Sequence, residues 1–595
     1  MARIGKFFFF DGSDNLATVF YHHVRSNGGV VESIGCVDNT PSFLEQSSFL
    51  LSPSGYKEDT VFTQKPIGAT GNLTFTRGSD AWRTNVQGLV ERTPWNLFGH
   101  SEQFTDVSWG KIGGVTVTAN QTTAPNGTFT ADLITEGTGV LLYWTSVFKA
   151  GTYTQSYYAK KGTGDIVGMY FGSGFTARFN LTSGTIVSTN NATATIQDVG
   201  DGWYRITATA TPTADFYAGL NYGNSSGLNI YLWGAQLVEG AYPLEYFPTT
   251  DRLNVPRIDY SYGTCPALLL EPQRTNLLLR SEEFENAVWS VNTATVIPNT
   301  EISPSGLMNA DTITNISGSL IGQNPSLATI GQIYTFSIYI KRINGNGSIN
   351  LVDVNGNLVP ITITNEWKRY NVTATASSTS LRAYFRVMVA GDSIAAWGAQ
   401  IEAGAYATSY IKTEATSVTR LADSFSRNNI YTNNLITSAG GTWFMELLNN
   451  VPYTRDTGIN GLFLSESSTG SQNSLSFRNT GGANSRLVIQ KFIGTTNSDL
   501  CTLTTPNAKV AIKWNGSTVD VFVNGTKVVS ASAFTYTQLQ FLAHSVNVDV
   551  IKFISQMALY PTPLDDVDCE LLTNPTSSGY SSFASMASSL GYILI

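Results

Sequence analysis

The sequence predicts an all-β protein built from several sandwich domains, and three observations indicate this class. Hydrophobic residues make up 42% of the 595 residues and aromatic residues 12%, whereas charged residues make up only 13%. The 54 glycines, together with many Ser, Thr and Asn residues, supply turns. Short runs such as Tyr334-Thr-Phe-Ser-Ile-Tyr-Ile-Lys alternate with period two, which is typical of half-buried strands. At about 150 residues per domain, the length suggests roughly four domains.

A long duplication organises the middle of the chain. The first copy begins with Asn96-Leu-Phe-Gly-His-Ser-Glu-Gln-Phe and closes with Trp233-Gly-Ala-Gln-Leu-Val-Glu-Gly-Ala-Tyr. The second begins with Asn276-Leu-Leu-Leu-Arg-Ser-Glu-Glu-Phe and closes with Trp397-Gly-Ala-Gln-Ile-Glu-Ala-Gly-Ala-Tyr. A unit of this size, present twice, indicates a duplicated domain and not a short solenoid repeat.

The two copies differ in length at one place. Tyr153 matches Tyr334 at an offset of 181 residues, but Trp203 matches Trp367 at an offset of 164. The second copy is therefore 17 residues shorter (181 − 164) between these landmarks.

The remaining segments complete the predicted domain order. Asn515-Gly and Asn524-Gly separate strand-like runs near the C-terminus and are typical of hairpin turns. The predicted order is an N-terminal segment (1–75), a connector (76–95), the first repeat (96–250), a connector (251–275), the second repeat (276–413), a third domain (414–573) and a Ser-rich tail with a short helix (574–595).

Several of these motifs resemble those of bacteriophage tail and fibre proteins. The repeat openings and closings, with Asp201-Gly-Trp-Tyr-Arg between them, resemble the carbohydrate-binding-module-like jelly rolls of such proteins. Val255-Pro-Arg-Ile-Asp-Tyr is similar to their lead-in segment, while Val418-Thr-Arg-Leu-Ala-Asp and Val521-Phe-Val-Asn-Gly resemble laminin-G/concanavalin-type domains. The resemblance implies two β-sandwich jelly rolls and a concanavalin/laminin-G-like sandwich in a homotrimeric virion appendage, such as a tail, collar or head fibre or spike.

The expected partners follow from the resemblance and from charge. The resemblance implies that residues 1–75 anchor the chain to other virion proteins, after assembly in the host cytoplasm, and that the jelly rolls bind a host-surface glycan. A net charge of -8 and a pI near 5.2 disfavour nucleic acid. No apolar run approaches the ~20 residues of a spanning helix, so membrane insertion is not expected.

The four cysteines are expected to be buried thiols. No cofactor is expected, although hard oxygen ligands are plentiful enough for a structural calcium ion.

Candidate ligand residues are sought where the two copies differ. Tryptophans at matched positions, such as Trp109 and Trp289, are expected to form cores, because matched aromatics within strand patterns are usually buried. The first copy alone carries a further set of aromatic and amide side chains. The predicted glycan-contacting residues are Tyr143, Trp144, Tyr170, Tyr217, Asn221 and Tyr222. The same aromatics would also suit a subunit interface.

The alternative function is that of a polysaccharide depolymerase of the tailspike type. Asp566-Val-Asp-Cys-Glu570 resembles the Glu-x-Asp-x-Glu strand of laminarinase-type hydrolases, although its first acid is Asp. The stretch also suits the first turn of a helix, where acidic residues are common. The four histidines have no metal-ligand spacing. Glycan binding without catalysis is therefore the expected function, and a secreted bacterial adhesin is the third, least favoured, alternative.

Overall fold

The structure is a computed structural model that describes residues 30–31, 46–66, 70–137, 141–172, 174–221, 227–263, 265–448, 460–469, 473–479, 487–544 and 552–574. Strands dominate these ranges, which confirms the all-β fold class. A short helix, α1 (Asp566–Thr573), follows the last strand. No helix in the described ranges is long and apolar enough to cross a membrane.

The strands are numbered in chain order. Before the first repeat lie β1 (Val30–Val31), β2 (Phe49–Leu51), β3 (Gly55–Lys57), β4 (Thr60–Val61), β5 (Leu73–Thr76), β6 (Ala81–Thr84) and β7 (Val90–Thr93). The first repeat contains β8 (Trp109–Ile112), β9 (Thr116–Thr122), β10 (Ala131–Thr135), β11 (Leu141–Trp144), β12 (Tyr153–Lys161), β13 (Ile166–Phe171), β14 (Thr176–Asn180), β15 (Thr185–Asn190), β16 (Ala192–Gly200), β17 (Trp203–Ala210), β18 (Ala218–Asn221) and β19 (Asn229–Glu239). The second connector and repeat contain β20 (Ile258–Asp259), β21 (Ala267–Leu269), β22 (Arg274–Asn276), β23 (Ser290–Ile302), β24 (Met308–Gln323), β25 (Ile333–Asn344), β26 (Ile349–Val352), β27 (Leu358–Ile361), β28 (Lys368–Thr375), β29 (Ala383–Val387) and β30 (Ser393–Ala403). The remaining strands are β31 (Val418–Arg420), β32 (Ser424–Asn428), β33 (Gly441–Leu448), β34 (Asn460–Ser465), β35 (Ser474–Asn479), β36 (Leu487–Ile493), β37 (Thr496–Leu503), β38 (Ala508–Trp514), β39 (Thr518–Val523), β40 (Thr526–Ala533), β41 (Phe541–His544) and β42 (Phe553–Tyr560).

The first repeat is a sandwich of two six-stranded antiparallel sheets. It forms a compact unit of its own, Thr93–Leu253, and the other unit contains residues 46–92 and 254–574. The strand orders in the two sheets are β16-β17-β12-β19-β10-β9 and β15-β14-β13-β18-β11-β8. Alternate residues of both sheets, including Tyr157, Met169 and Leu220, are buried together in one hydrophobic core.

The second repeat has the same layout without one hairpin. Its sheet order is β27-β26-β29-β24-β30-β25-β28, with β23 paired to β24. The long strand β24 joins the two layers, since residues 311–314 pair with β30 and residues 321–323 with β29. Only a short loop separates β27 from β28, where the first repeat has β15 and β16. The 17-residue difference therefore corresponds to a hairpin that adds one edge strand to each sheet of the first sandwich.

A buried asparagine explains why each repeat opens with Asn-Leu. The Asn96 side chain donates to the carbonyls of Ala235 (3.0 Å) and Phe247 (2.9 Å), and its Oδ1 accepts from the backbone of Phe98 and Leu237. Its counterpart makes the same four bonds in the second repeat, to Ala399, Ile411, Leu278 and Ile401. The motif thus ties the first segment of each sandwich to its last strand.

The Ser-Glu pair that follows this Asn-Leu opening holds an aromatic cluster. In the first repeat the cluster lies on the outer side of the sheet that contains β12 and β19. Tyr246 is hydrogen-bonded to Ser101 (2.8 Å) and donates to Glu102 (3.1 Å). Its ring packs on Trp233 at 4.9 Å. In the second repeat the equivalent group consists of Ser281, Glu282, Tyr410 and Trp397. The matched tryptophans are buried, except for the half-buried Trp367, which confirms that they belong to cores.

The third sandwich is assembled from distant parts of the chain. One sheet contains β3-β4-β5-β32-β41-β34-β35-β36-β37 in this order. The other contains β20-β21-β42-β33-β38-β39-β40, and β2 also pairs with β42. Segments assigned from sequence to the N-terminal region (1–75) and to the connector 251–275 therefore supply strands to this sandwich. The physical reason is burial, because Phe49, Leu51 and Leu268 are fully buried against it or nearly so.

A buried ionic cluster lies where these segments meet. Asp423 pairs with Arg77 at 2.8 Å and also with Arg257. Glu271 pairs with Arg257 at 2.8 Å and with Arg420 at 2.9 Å. The side chains of all five residues are at most 1% exposed. Charges withdrawn this far from water are stable only when paired, so the cluster joins the parts of the chain that flank both repeats.

The hairpin predictions in the third domain and the cysteine prediction have different outcomes. β38, β39 and β40 form the predicted meander, and Asn524 has the positive φ of 48° expected for an Asn-Gly turn.

Cys569 is a buried thiol, but Cys265 is exposed and disulfide-bonded, so the expectation of buried thiols throughout was wrong. The predicted tail helix lies outside the described residues, apart from residue 574.

Candidate functional site

Four of the predicted ligand residues lie on the outer face of the sheet β15-β14-β13-β18-β11-β8. Leu142, Met169 and Leu220 of this sheet point into the core. Because successive strand residues point to opposite faces, their neighbours Tyr143 and Tyr170 lie on the outer face, as does Asn221. Tyr217 precedes β18, is 41% exposed, and packs against Tyr143 with the ring centroids 5.4 Å apart.

A continuous row of residues crosses this face, one from each strand. The pairing registers place these residues side by side, and we call them the tyrosine row: Gly110, Tyr143, Gly219, Tyr170, Thr176 and Asn190. Both tyrosines are half-buried and Asn190 is exposed. The row therefore presents two aromatic side chains and two small polar side chains to solvent.

Glycine shapes the row at two positions. A Cβ at Gly110 would lie 2.6 Å from Cε1 of Tyr143, so this ring occupies the space of the missing side chain. Gly219 lies between Tyr143 and Tyr170, and at ~4.8 Å between strands the two tyrosines are about 10 Å apart along the row. Gly219 contributes no side chain, so the row of side chains is interrupted between the two tyrosines, and we call this interruption the gap at Gly219.

Trp144, the fifth predicted ligand residue that the structure describes, does not lie with these four. Trp144 points to the core side of β11, where its ring lies 5.5 Å from Trp109 and 6.2 Å from Phe98. Strand alternation accounts for this, since Trp144 directly follows the outward-facing Tyr143. Tyr222 lies outside the described residues.

The equivalent face of the second sandwich has no such gap. The registers Gly322↔Tyr384 and Tyr384↔Val352 place a tyrosine where the first sandwich has Gly219. A Cβ at Gly322 would lie 2.4 Å from the ring of Tyr384, and the hydroxyl of Tyr384 accepts a hydrogen bond from Asn324 at 2.8 Å. The side-chain pattern Tyr-Gly-Tyr is thus replaced by Gly-Tyr-Val, and the tyrosine fills the space between its neighbours.

Two residues of the first face were missed from the sequence. Arg178 pairs with Gly168 in the adjacent row, and Gly219 separates the two tyrosines. The alternation in Thr176-Ala-Arg-Phe-Asn180, where Ala177 and Phe179 are buried, would have placed Arg178 on the outer face. No local sequence pattern could have placed Gly219 between the tyrosines, because that position depends on the pairing of three distant strands.

The acidic stretch considered for catalysis forms the helix that the sequence favoured. Asp565 caps α1 by accepting from the backbone N–H of Asp568 at 2.7 Å. Asp566 pairs with Lys513 and Lys527, and their hydrogen bonds lower its pKa. The period-two arrangement on a strand, on which the similarity to hydrolases depended, is therefore not formed.

A second carboxyl pair, in the second sandwich, serves the fold. The pKa of Asp311 is raised to about 7, chiefly by burial and also by nearby Glu285. Both of its oxygens accept backbone N–H groups, from Phe284 (2.9 Å) and Asn299 (3.0 Å). Asp132 makes the same two bonds in the first repeat, where Thr105 stands in place of Glu285. The shared carboxylate thus fixes loops in both copies. Across the described ranges, no group of three or more His, Cys, Asp or Glu residues could hold a metal ion.

Comparison with known proteins gives distant structural likenesses. No protein-family profile and no curated protein matches the sequence. The CBM22-1–CBM22-2 tandem domain from Paenibacillus barcinonensis is 16% identical with a TM-score of 0.20, over 52% of this chain and 97% of that one. The enzymatically active domain of tailspike protein 4 of bacteriophage CBA120 is 18% identical with a TM-score of 0.18, over 21% of each chain. Domain 4 of a GH43 extracellular arabinanase from Geobacillus stearothermophilus, in complex with arabinotriose, is 14% identical with a TM-score of 0.21, over 28% of this chain and 82% of that one. Scores this low assign the chain to none of these proteins.

Proposed function

We propose that this chain is a structural subunit of a bacteriophage virion appendage and that its first sandwich binds a host-surface glycan along the tyrosine row. The observation that carries the glycan proposal is the gap at Gly219 between Tyr143 and Tyr170. Flat sugar faces stack on aromatic rings, and the neighbouring Thr176 and Asn190 offer hydrogen-bonding groups for hydroxyls. The uncharged character of the row suits a polymer made mostly of hydroxyls.

The difference between the two sandwiches supports the assignment to the first. Tyr384 fills the equivalent gap in the second sandwich and is fixed by Asn324. Of the two repeats, only the first therefore has the interrupted row between two tyrosines. The virion role rests on the repeat and lead-in motifs of the sequence, and a homotrimer, attached to other virion proteins through its N-terminal region, would raise a weak single-site affinity through avidity.

Binding of the purified chain to a panel of bacterial capsular and cell-wall polysaccharides tests the glycan proposal. Tyr170→Ala removes a ring that makes no ring contact with a neighbour in the described ranges, so the fold should be preserved. An aromatic contact contributes on the order of 1 kcal/mol, so the variant should bind about fivefold more weakly. Tyr384→Ala, on the equivalent face of the second sandwich, is the matched control and should bind like the wild type.

Two further measurements address the rest of the proposal. Sedimentation or light scattering should give the mass of three chains at micromolar concentration, and a monomer would contradict the fibre assignment. We propose binding without cleavage, so incubation with the bound polysaccharide should release no reducing ends. Such release would instead support the depolymerase alternative.

A further inference from the structure

Arg178, on the second strand from one edge of this sheet, is a half-buried cation with no partner among the described residues. It lies on β14, and it forms no hydrogen bond, ion pair or ring contact within the part of the chain that the structure describes. Several other arginines with restricted exposure are paired, as Arg77 is with Asp423 and Arg83 with Glu91 at 2.6 Å. A guanidinium presents five N–H donors, and no nitrogen of Arg178 is among the buried polar atoms that lack a partner, so these donors are accessible to solvent and to a ligand.

The position of Arg178 ties it to the tyrosine row. It pairs with Gly168 on β13 and with Ser188 on β15. Tyr170 is two residues beyond Gly168 on the same face, a distance of about 7 Å along the strand. A Cβ at Gly168 would lie 3.5 Å from Cγ of Arg178, so the arginine stem lies close to this glycine, whose missing side chain leaves it room.

Within the described ranges, the strand neighbours of Arg178 supply no negative charge to neutralise it. Its neighbours on the face are uncharged: Thr176 and Asn180 along β14, and Gly168, Ser188 and Asn221 across the sheet. The carboxylate of Asp165, directly before β13, is engaged elsewhere, because it accepts from Thr182 at 2.9 Å. The second sandwich has Pro360 at the equivalent register position, so no arginine occupies this position there.

We infer that the glycan bound along the tyrosine row carries a carboxylate, as in a uronic acid polymer, and that Arg178 is the residue that selects it. The inference rests on the proposed function and adds the substrate class to it. A planar guanidinium matches a carboxylate with two parallel hydrogen bonds. Gly219 lies two strands and two residues away from Arg178, about 12 Å by the sheet spacings, so the carboxylate that Arg178 binds would belong to a different sugar unit from the one in the gap.

The test uses the full chain and an immobilised panel of microbial polysaccharides containing carboxylated, sulfated and neutral members, together with carboxyl-reduced forms of the carboxylated ones. The wild type should bind carboxylated members and lose about tenfold or more in affinity when the carboxyls are reduced to alcohols. Arg178→Gln should show a similar loss on the unreduced polymers. Arg386→Gln removes the same charge from the outer face of the second sandwich and should bind as the wild type does, which controls for net charge.

Each contrary outcome is distinct. If Arg178→Gln binds carboxylated polymers as tightly as the wild type, or if carboxyl reduction has no effect, the inference is overturned. Binding confined to sulfated members would also overturn it. Binding of neutral polymers that depends on Tyr170 but not on Arg178 would overturn the inference and leave the proposed function standing. Binding of no member would remove both.

Discussion

Asp423→Asn tests whether the buried ionic cluster joins the discontinuous third sandwich. The Asp423 carboxylate accepts from Arg77, Arg257 and the backbone N–H of Glu271, and it is fully buried. Removing one partner of a buried pair leaves an uncompensated charge and costs about 3–5 kcal/mol. Asparagine keeps one acceptor oxygen, so we expect a loss of about 3 kcal/mol, at the lower end of that range.

Thermal unfolding followed by tryptophan fluorescence measures this loss. At ~2–4 °C per kcal/mol for a domain of about 200 residues, the transition should fall by on the order of 10 °C. Asp215→Asn is the matched control, because Asp215 pairs with Lys149 in an exposed position and such pairs contribute about 0–1 kcal/mol. Equal, small shifts for the two variants would refute the argument.

The same cluster predicts a pH dependence. Burial alone would raise the pKa of Asp423, but the attraction of Arg257, Arg77 and Arg420 outweighs it and lowers this pKa. A carboxyl with a depressed folded pKa contributes stability that is present above its unfolded pKa, ~3.9, and lost as the pH falls through the folded value. The stability difference between the wild type and Asp423→Asn should therefore be constant near neutral pH and shrink in this acid range. A difference that grew on acidification would contradict the assignment.

Three further predictions concern the repeats and the cysteines. Asn96→Leu and Asn276→Leu should each destabilise their own sandwich by several kcal/mol, because each leaves buried backbone groups unpaired at about 1–3 kcal/mol apiece. Differential scanning calorimetry measures this loss, and an unchanged unfolding transition would contradict it. Replacing residues 182–202 by residues 362–366 should leave the first sandwich folded, because the second closes without this hairpin; loss of the β-sheet circular dichroism signal would count against it. Burial raises the pKa of Cys569 to about 12, so this thiol should resist iodoacetamide at pH 8 in the folded chain, and its modification, detected by peptide mass mapping, would show that it is accessible.

The period of the sequence was sufficient to predict strands, repeats and cores, because these depend on local patterns. Alternation of apolar residues showed which tryptophans are buried, and the two copies confirmed each other at Trp109 and Trp289. The predicted domain boundaries separated some short strands from the remote strands with which they pair. Phe49–Leu51 contains three residues and pairs with Phe553–Tyr560 across some 500 positions, so no local pattern could assign it to the third sandwich.

The candidate face illustrates the same division between local and distant information. Differences between the copies drew attention to Tyr143, Tyr170 and Asn221, which lie on one face, but they could not separate these from Trp144, whose side chain points to the other face. The gap at Gly219 is visible only when the registers of three strands are known. A larger side chain at position 219 should abolish binding. However, a Cβ there would lie 2.3 Å from the carbonyl oxygen of Leu142, so a substitution of Gly219 would also disturb the sheet. The side chains that flank the gap, and not the glycine that forms it, are therefore the positions at which binding and folding can be separated.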